Sequence, residues 1–258
     1  MDDLIKQNEN YVVFEGLTAV SALINSKKDG KNDRKIIKIL FDKEKCKSKS
    51  RELSFLRTNS GDLGYDLLIV PPEDISEYTS GNTHGGIVAV CEKKNIPLLA
   101  PELVKKDGVY YIFEGVEDPY NFGYMIRSVY AAGADGIVLS HRNWLSATAV
   151  VAKSSAGTSE LIDTFVCEPE EAVEIFKSLG FSVVCAGIRD SISVYDAKLK
   201  KPLLVIVGGE KRGISRKLLD KADEIVRIDY GREFRGSLPS VAATSILAFE
   251  ILNKTREN

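Results

Sequence analysis

Short apolar runs recur along this chain with helix-like stretches between them, and that alternation restricts it to an α/β architecture. "IIKILFD", "DLLIV", "GGIVAVCE", "VYYIFEG", "DGIVLS", "FSVVCAG", "PLLVIVGG" and "DEIVRID" read as strands. Between them, "VFEGLTAVSALINS", "SRELSFLRT", "PEDISEYTS", residues 121–133, "SATAVVAKSSAG", "EPEEAVEIFKSLG" and "PSVAATSILAFEILNK" read as helices. The runs are almost continuously apolar, which predicts a parallel sheet covered on both faces. The series divides into an α/β domain over 1–92, a linker over 93–108 and a second α/β domain over 109–258. The linker "KKNIPLLAPELVKKDG" holds two prolines and four lysines.

Composition narrows the class. Hydrophobic residues at 44% and charged residues at 28% are ordinary for a globular chain. No stretch approaches the roughly 18 apolar residues of a membrane span, so no membrane partner is expected. The first ten residues, "MDDLIKQNEN", carry no apolar signal core, and a cytoplasmic location is the expectation. Four separated cysteines without a CxxC pair, and only two histidines, point to reduced thiols and no metal site.

The net charge of -2 hides a strong asymmetry. Residues 27–57 hold 12 Lys or Arg against 5 Asp or Glu, a surplus of 7 that the rest of the chain reverses. Such a segment is either a solvated surface or a footprint for the phosphates of a nucleic acid.

A parallel α/β sheet collects ligands beyond the carboxyl ends of its strands. Three loops that follow strands of the second domain carry polar residues out of keeping with their surroundings. They are "GVEDPYNFG" at 115–123, "GGEKRGIS" at 208–215 and "DYGREFRGSLPS" at 229–240. All three are expected on one edge of the sheet. Taken singly, each residue has a plain structural use. Asn121 can cap a helix, Arg127 can lie along the surface, and Glu210 can pair with Lys211 or Arg212. Ser237 can cap the last helix and Pro239 suits its first turn. Gly208 and Gly209 permit a close backbone approach, but "GGEKRG" is not the GxGxxG of a dinucleotide site, which argues against a dehydrogenase.

Together these segments resemble the signature motifs of the SpoU (TrmH-type) RNA 2′-O-ribose methyltransferases of the SPOUT superfamily. The residues that carry the likeness are "DPYNFGYMIRSVYAAGADGIVLS", "LLVIVGGEKRGIS" and "VRIDYGREFRGSLPSVAATSILAFEIL", with "AKSSAGTSE" between the first two. "FEGLTAVSALI" and "THGGIVAV" are similar to the ends of the ribosomal-protein-like substrate domain that precedes the catalytic domain in this family. The resemblance implies a parallel sheet with a C-terminal trefoil knot, S-adenosylmethionine as methyl donor, and a homodimer with a shared site. It implies ribosomal rather than transfer RNA as substrate. Arg127 is then expected to face the ribose and its phosphate, Asn121 to help hold Arg127 or the substrate, Glu210 to orient these groups, and Ser237 to complete the polar lining. Gly208, Gly209, Ile228 and Leu238 are expected to contact the cofactor.

One departure is plain. The family's Ser-Leu-Asn is here Ser237-Leu238-Pro239, and the loop before it is longer and more charged, with Arg232, Glu233 and Arg235. Proline supplies neither an amide side chain nor an N–H. A relative that binds RNA with weakened catalysis is the alternative this raises.

Overall fold

The computed structural model describes residues 11–79, 83–140 and 148–256. The N-terminal ten residues, on which the expectation of a cytoplasmic location rests, lie outside them, as do the first two residues of "SATAVVAKSSAG". Contacts group the described residues into two units, 11–95 with 148–161 and 96–140 with 162–256. The chain thus divides differently from the sequence expectation, because a segment inside the second half belongs to the first unit.

In the first unit, β1 (Tyr11–Glu15), β2 (Ile36–Asp42), β3 (Asp66–Val70) and β4 (Ile87–Glu92) form a sheet in the order β1-β4-β2-β3. Helices α1 (Leu17–Lys28), α2 (Ser50–Leu63) and α3 (Pro72–Ser76) accompany it. Two expectations are corrected. Val13–Glu15, read as the start of a helix, is strand, and the helix begins only after Gly16 turns the chain at φ 85°. The sheet is mixed rather than parallel: β4 runs antiparallel to both neighbours, and only β2 and β3 are parallel.

Helix α5 (Thr148–Ser154) and the 3₁₀ turn Thr158–Glu160 complete this unit. Ala152 enters its apolar core. Gly157, at φ 82°, lies so near α1 that a Cβ there would sit 2.4 Å from the Ala22 Cβ. The contact is secured by a buried ion pair. Arg34 Nε and Nη2 donate to Glu160 Oε2 and Oε1 at 3.1 and 3.3 Å, and Nη1 donates to the Glu92 carbonyl at 2.9 Å. Asn32 Nδ2 adds a 2.6 Å bond to the same carboxylate, and the Phe14 ring lies 5.1 Å from the guanidinium. Burying two charges is tolerable here because nearly every donor and acceptor is matched.

The second unit is a seven-stranded, wholly parallel sheet in the order β7-β6-β5-β10-β8-β11-β9. Its strands are β5 (Val109–Glu114), β6 (Gly136–Leu139), β7 (Asp163–Val166), β8 (Ser182–Ala186), β9 (Ile192–Ser193), β10 (Leu203–Gly208) and β11 (Glu224–Arg227). The central pair, "VYYIFE" and "LLVIVG", is buried at every position but the last. Helices α4 (Pro119–Ala131), α6 (Pro169–Ser178), α7 (Arg216–Leu219) and α8 (Ser240–Arg256) cover the sheet. On one face Tyr110, Phe176 and Phe181 pack ring to ring at 4.9–5.8 Å. Such contacts stabilise by about 0.5–1.5 kcal/mol each beyond area burial.

Pro97 and Leu99 bond to Val166 beside β7, and Leu99 and Val104 are buried in this core. Part of the expected linker is therefore structured. The strand order reverses between β5 and β10: from β5 the chain proceeds outward to β6 and β7, then returns on the other side of β10. That reversal is where a ligand crevice opens.

Candidate active site

Because the second sheet is wholly parallel, the loops after β5, β8, β10 and β11 leave from one edge. The first is shaped by Asp118. Its backbone is extended, and its carboxylate accepts from the Asn121 N–H at 3.0 Å and the Tyr120 N–H at 3.4 Å. Asp118 is therefore the cap of α4, and Pro119 occupies the first turn, where its missing N–H costs nothing. Asn121 lies within that turn and is not the cap, which frees its carboxamide. Its Nδ2 donates to Glu210 Oε1 at 2.9 Å.

Glu210 follows the Gly208-Gly209 pair at the end of β10. Both glycines are required by close backbone approach. A Cβ on Gly209 would fall 2.1 Å from the Gly115 carbonyl oxygen, and one on Gly208 would fall 2.4 Å from the Gly213 carbonyl carbon. The turn is also pinned by Gly209 N–H to the Glu114 carbonyl at 2.7 Å, and by Ser215 N–H to Glu114 Oε2 at 2.8 Å. Lys211 pairs with Glu117 rather than Glu210. The Glu210 carboxylate instead accepts from Asn121 and, through the same oxygen, from the Ser240 hydroxyl. One carboxylate thus ties the first turn of α4, the turn after β10 and the start of α8.

A cavity of about 550 Å³ opens beside this chain of bonds. Gly208, Gly209, Glu210, Ile228, Ser237 and Leu238, six of the eight residues singled out from sequence, line it. Val207, Ile214, Val226 and Leu247 supply apolar wall. Three arginines also line it. Arg227 is engaged, donating from Nε to Asp229 Oδ1 at 2.8 Å and from Nη1 to the Ser191 carbonyl. A hydrogen bond from Ser193, aided by Arg227, holds the Asp229 carboxyl below its usual pKa. Arg189 and Arg212 are exposed; Arg189 has no polar partner among the described residues, whereas Arg212, after Lys211, helps to hold the Glu117 carboxyl below its usual pKa.

The other two residues stand differently. Asn121 does not line the cavity but reaches it through Glu210. Arg127 is exposed, lies six residues along α4 and so on another face from Asn121, and has no polar partner among the described residues. The cavity of its own chain does not include it. Ser237 is three residues short of α8 and does not cap it. Pro239 starts that helix instead, its carbonyl accepting from Ala243 N–H at 3.0 Å.

The basic segment of the first unit is partly internal. Arg34 is buried, Lys28 reaches Asn59, Lys45 pairs with Asp42, and Lys49 caps the Gly85 carbonyl. Lys31, Lys43, Lys47, Arg51 and Arg57 remain exposed without polar partners among the described residues.

The family model described as the SpoU rRNA methylase family matches residues 108–249. The chain belongs to that family. A second model, RNA 2′-O ribose methyltransferase substrate binding, matches residues 13–97, most of the first unit. The YacO protein of Bacillus subtilis, described as a TrmH-family tRNA/rRNA methyltransferase, is 26% identical over 97% of this chain and 98% of its own. An uncharacterized tRNA/rRNA methyltransferase of Mycobacterium ulcerans is 28% identical over 77% of this chain, and the match spans 66% of that protein. The fold is also that of an AdoMet-bound rRNA methyltransferase from Sinorhizobium meliloti, with a TM-score of 0.78 and 21% identity over 97% of this chain and 92% of that one.

Within this SpoU-family chain, sequence reasoning missed Ser240, Tyr230 and Arg189. Ser240 is hidden because a serine in a first helical turn reads as a cap. Its position would have marked it, since the start of the last helix follows the loop at 229–240 and so lies at the same sheet edge as Glu210.

Proposed function

We propose that this protein transfers a methyl group from S-adenosylmethionine to a ribose 2′-hydroxyl of structured RNA, with ribosomal RNA as the substrate. The observation that carries this reading is the Asn121–Glu210–Ser240 chain of hydrogen bonds at the mouth of a cavity lined by Gly208, Gly209, Ile228 and Leu238. The cavity fits the donor. Its volume lies within the usual range of roughly 300–1,000 Å³ for small-molecule sites. Aliphatic walls and glycine backbone suit the adenosine, and the unpaired Arg189 suits the carboxylate of the donor's methionine part. When bound, S-adenosylmethionine supplies an electrophilic methyl on sulfur, open to in-line displacement by oxygen.

The residues of the chain do the rest by positioning. Glu210 holds the Asn121 carboxamide and the Ser240 hydroxyl in fixed orientation, so that Asn121 presents its carbonyl oxygen to the incoming ribose, and Ser237 adds a hydroxyl at the cavity wall. Arg127 binds the adjacent phosphate and aligns the hydroxyl. A guanidinium stays protonated near neutral pH, so its role is to bind and align rather than to take the proton. The first unit is the RNA-binding domain, with Lys43, Lys47, Arg51 and Arg57 as phosphate contacts. The second unit is the methyltransferase domain.

The working form is a homodimer with a shared site. Helix α8 leaves Phe249 50% exposed and Val241, Ala242, Ile246 and Leu252 only half-buried. An isologous contact through α4 and α8 would cover them, and the partner's Arg127 would complete each cavity. The strand order supports a C-terminal knot, since β11 enters between β8 and β9 and α8 then packs on α4, with Ser128 and Ser245 bonded at 2.8 Å. The four free cysteines accord with a cytoplasmic location.

The test is to incubate labelled S-adenosylmethionine with RNA from cells lacking this gene and digest the product with alkali. Label in an alkali-resistant dinucleotide identifies the 2′-oxygen, and its sequence identifies the RNA. Label released as mononucleotide would place the methyl elsewhere. RNA binding without any transfer would support the alternative in which Pro239 has weakened catalysis.

A further inference from the structure

The loop between β11 and α8 is where this chain departs from the family pattern, and nothing in the mechanism above uses its tip. Phe234 sits there with 56% of its surface exposed. It is not loosely hung. Its ring centroid is 5.6 Å from that of Tyr230, edge to face at 61°. The far end of the ring lies over Gly236, where a Cβ would come within 2.6 Å of the Phe234 Cζ. Tyr230 is itself fixed, because its hydroxyl accepts from the Leu238 N–H at 3.2 Å, and both Tyr230 and Leu238 line the cavity. A rigid link thus runs from the cavity wall to an exposed aromatic face.

The charges around that face are unspent. Arg232 and Arg235, either side of Phe234, are exposed and have no polar partner among the described residues. One exposed carboxylate, Glu233, stands against them, while Asp229 is engaged by Arg227. An aromatic face held in place between free guanidiniums matches single-stranded RNA, whose bases stack and whose phosphates are anionic. An apolar protein partner would leave the two arginines unmatched.

We propose that Phe234 is a stacking platform for an unpaired nucleobase next to the methylated nucleotide, with Arg232 and Arg235 holding the flanking phosphates. This rests on the RNA methyltransferase reading above and adds to it a positioning element for the substrate.

The experiment compares methyl transfer to total RNA from cells lacking this gene for wild type, Phe234→Ala, Phe234→Leu, Phe234→Trp and Gly236→Ala. S-adenosylmethionine affinity is measured by calorimetry and oligomeric state by light scattering. A second arm irradiates each protein with the same RNA carrying 5-iodouridine and maps the cross-linked residue. Stacking predicts that Phe234→Ala and Phe234→Leu lower kcat/KM for RNA by about tenfold or more, as loss of one base–aromatic contact does. Phe234→Trp stays within about threefold of wild type, and Gly236→Ala, which displaces the ring, falls between. Donor affinity and oligomeric state are unchanged, and the cross-link maps to Phe234.

Full activity in Phe234→Leu would overturn the proposal, as would loss of the dimer or of donor binding in Phe234→Ala. A wild type that transfers no methyl would sink the parent reading. The cross-link would then still decide this one, its absence from the 230–235 segment counting against it.

Discussion

The interior of the first unit and the strand-end edge of the second treat a guanidinium in opposite ways. Arg34 is 3% exposed and donates to two carboxylate oxygens and a carbonyl, beneath an aromatic ring. Arg127 and Arg189 are exposed and have no polar partner among the described residues. Glu160 and Glu210 repeat the contrast. Glu160 is satisfied wholly by its own unit, whereas Glu210 organises neutral groups at a cavity mouth. A saturated charge network fixes a fold, while an unsaturated one held rigidly at a sheet edge can receive a ligand. The two regions should therefore fail differently when mutated.

The largest effect on stability is expected from Glu160→Ala, which leaves Arg34 buried and unpaired. The cost is about 3–5 kcal/mol. Amide exchange should show β2 and β4 losing protection while β10 keeps it; equal loss in both sheets would blur the distinction. Gly209→Ala forces a Cβ against the Gly115 carbonyl and should cost about 1–3 kcal/mol. It should also weaken donor binding, which calorimetry would register. Asp118→Ala removes the cap of α4 at about 1 kcal/mol. Denaturant titration checks that value, and a lower kcat with little change in donor affinity would show that the cap also positions Asn121.

The smallest effect is one of pH. Burial, then the nearby Lys45, pushes His84 below its ordinary value of 6.5, and its Nδ1 accepts from the Gly86 N–H at 3.1 Å. The folded state therefore favours the neutral ring. Its contribution to stability is present above 6.5 and is lost as pH falls from there through the lowered folded value. An NMR titration giving a His84 pKa above 6.5 would reverse the sign.

Much of the second unit was legible in the sequence. Apolar runs such as "VYYIFEG" and "PLLVIVGG" can only be doubly covered strands, and parallel pairing then places the loops at 115, 208 and 229 on one edge. That logic gathered Glu210, Ser237 and the glycine pair around one cavity. The first unit was harder. Val13–Glu15 alternates too briefly to be told from the helix that follows, so β1 was missed and the antiparallel pairings with it. The helix at 148–154 was legible as a helix, but its place beside β1 and α1 was not. That place depends on Arg34 and Glu160, which are 126 residues apart. The orientation of Asn121 was also out of reach until Asp118 was seen to take the capping role, because both residue types cap helices well.

If the polar groups at this sheet edge position RNA for methyl transfer, Arg127 should be indispensable to the reaction and dispensable to the fold. It is exposed and has no polar partner among the described residues. Labelled methyl incorporation into RNA should be measured for wild type and Arg127→Ala at matched folding stability. The account predicts incorporation by the wild type and a loss of about 100-fold or more in the variant, with an unchanged melting temperature. Arg127→Ala transferring methyl as fast as wild type would contradict it.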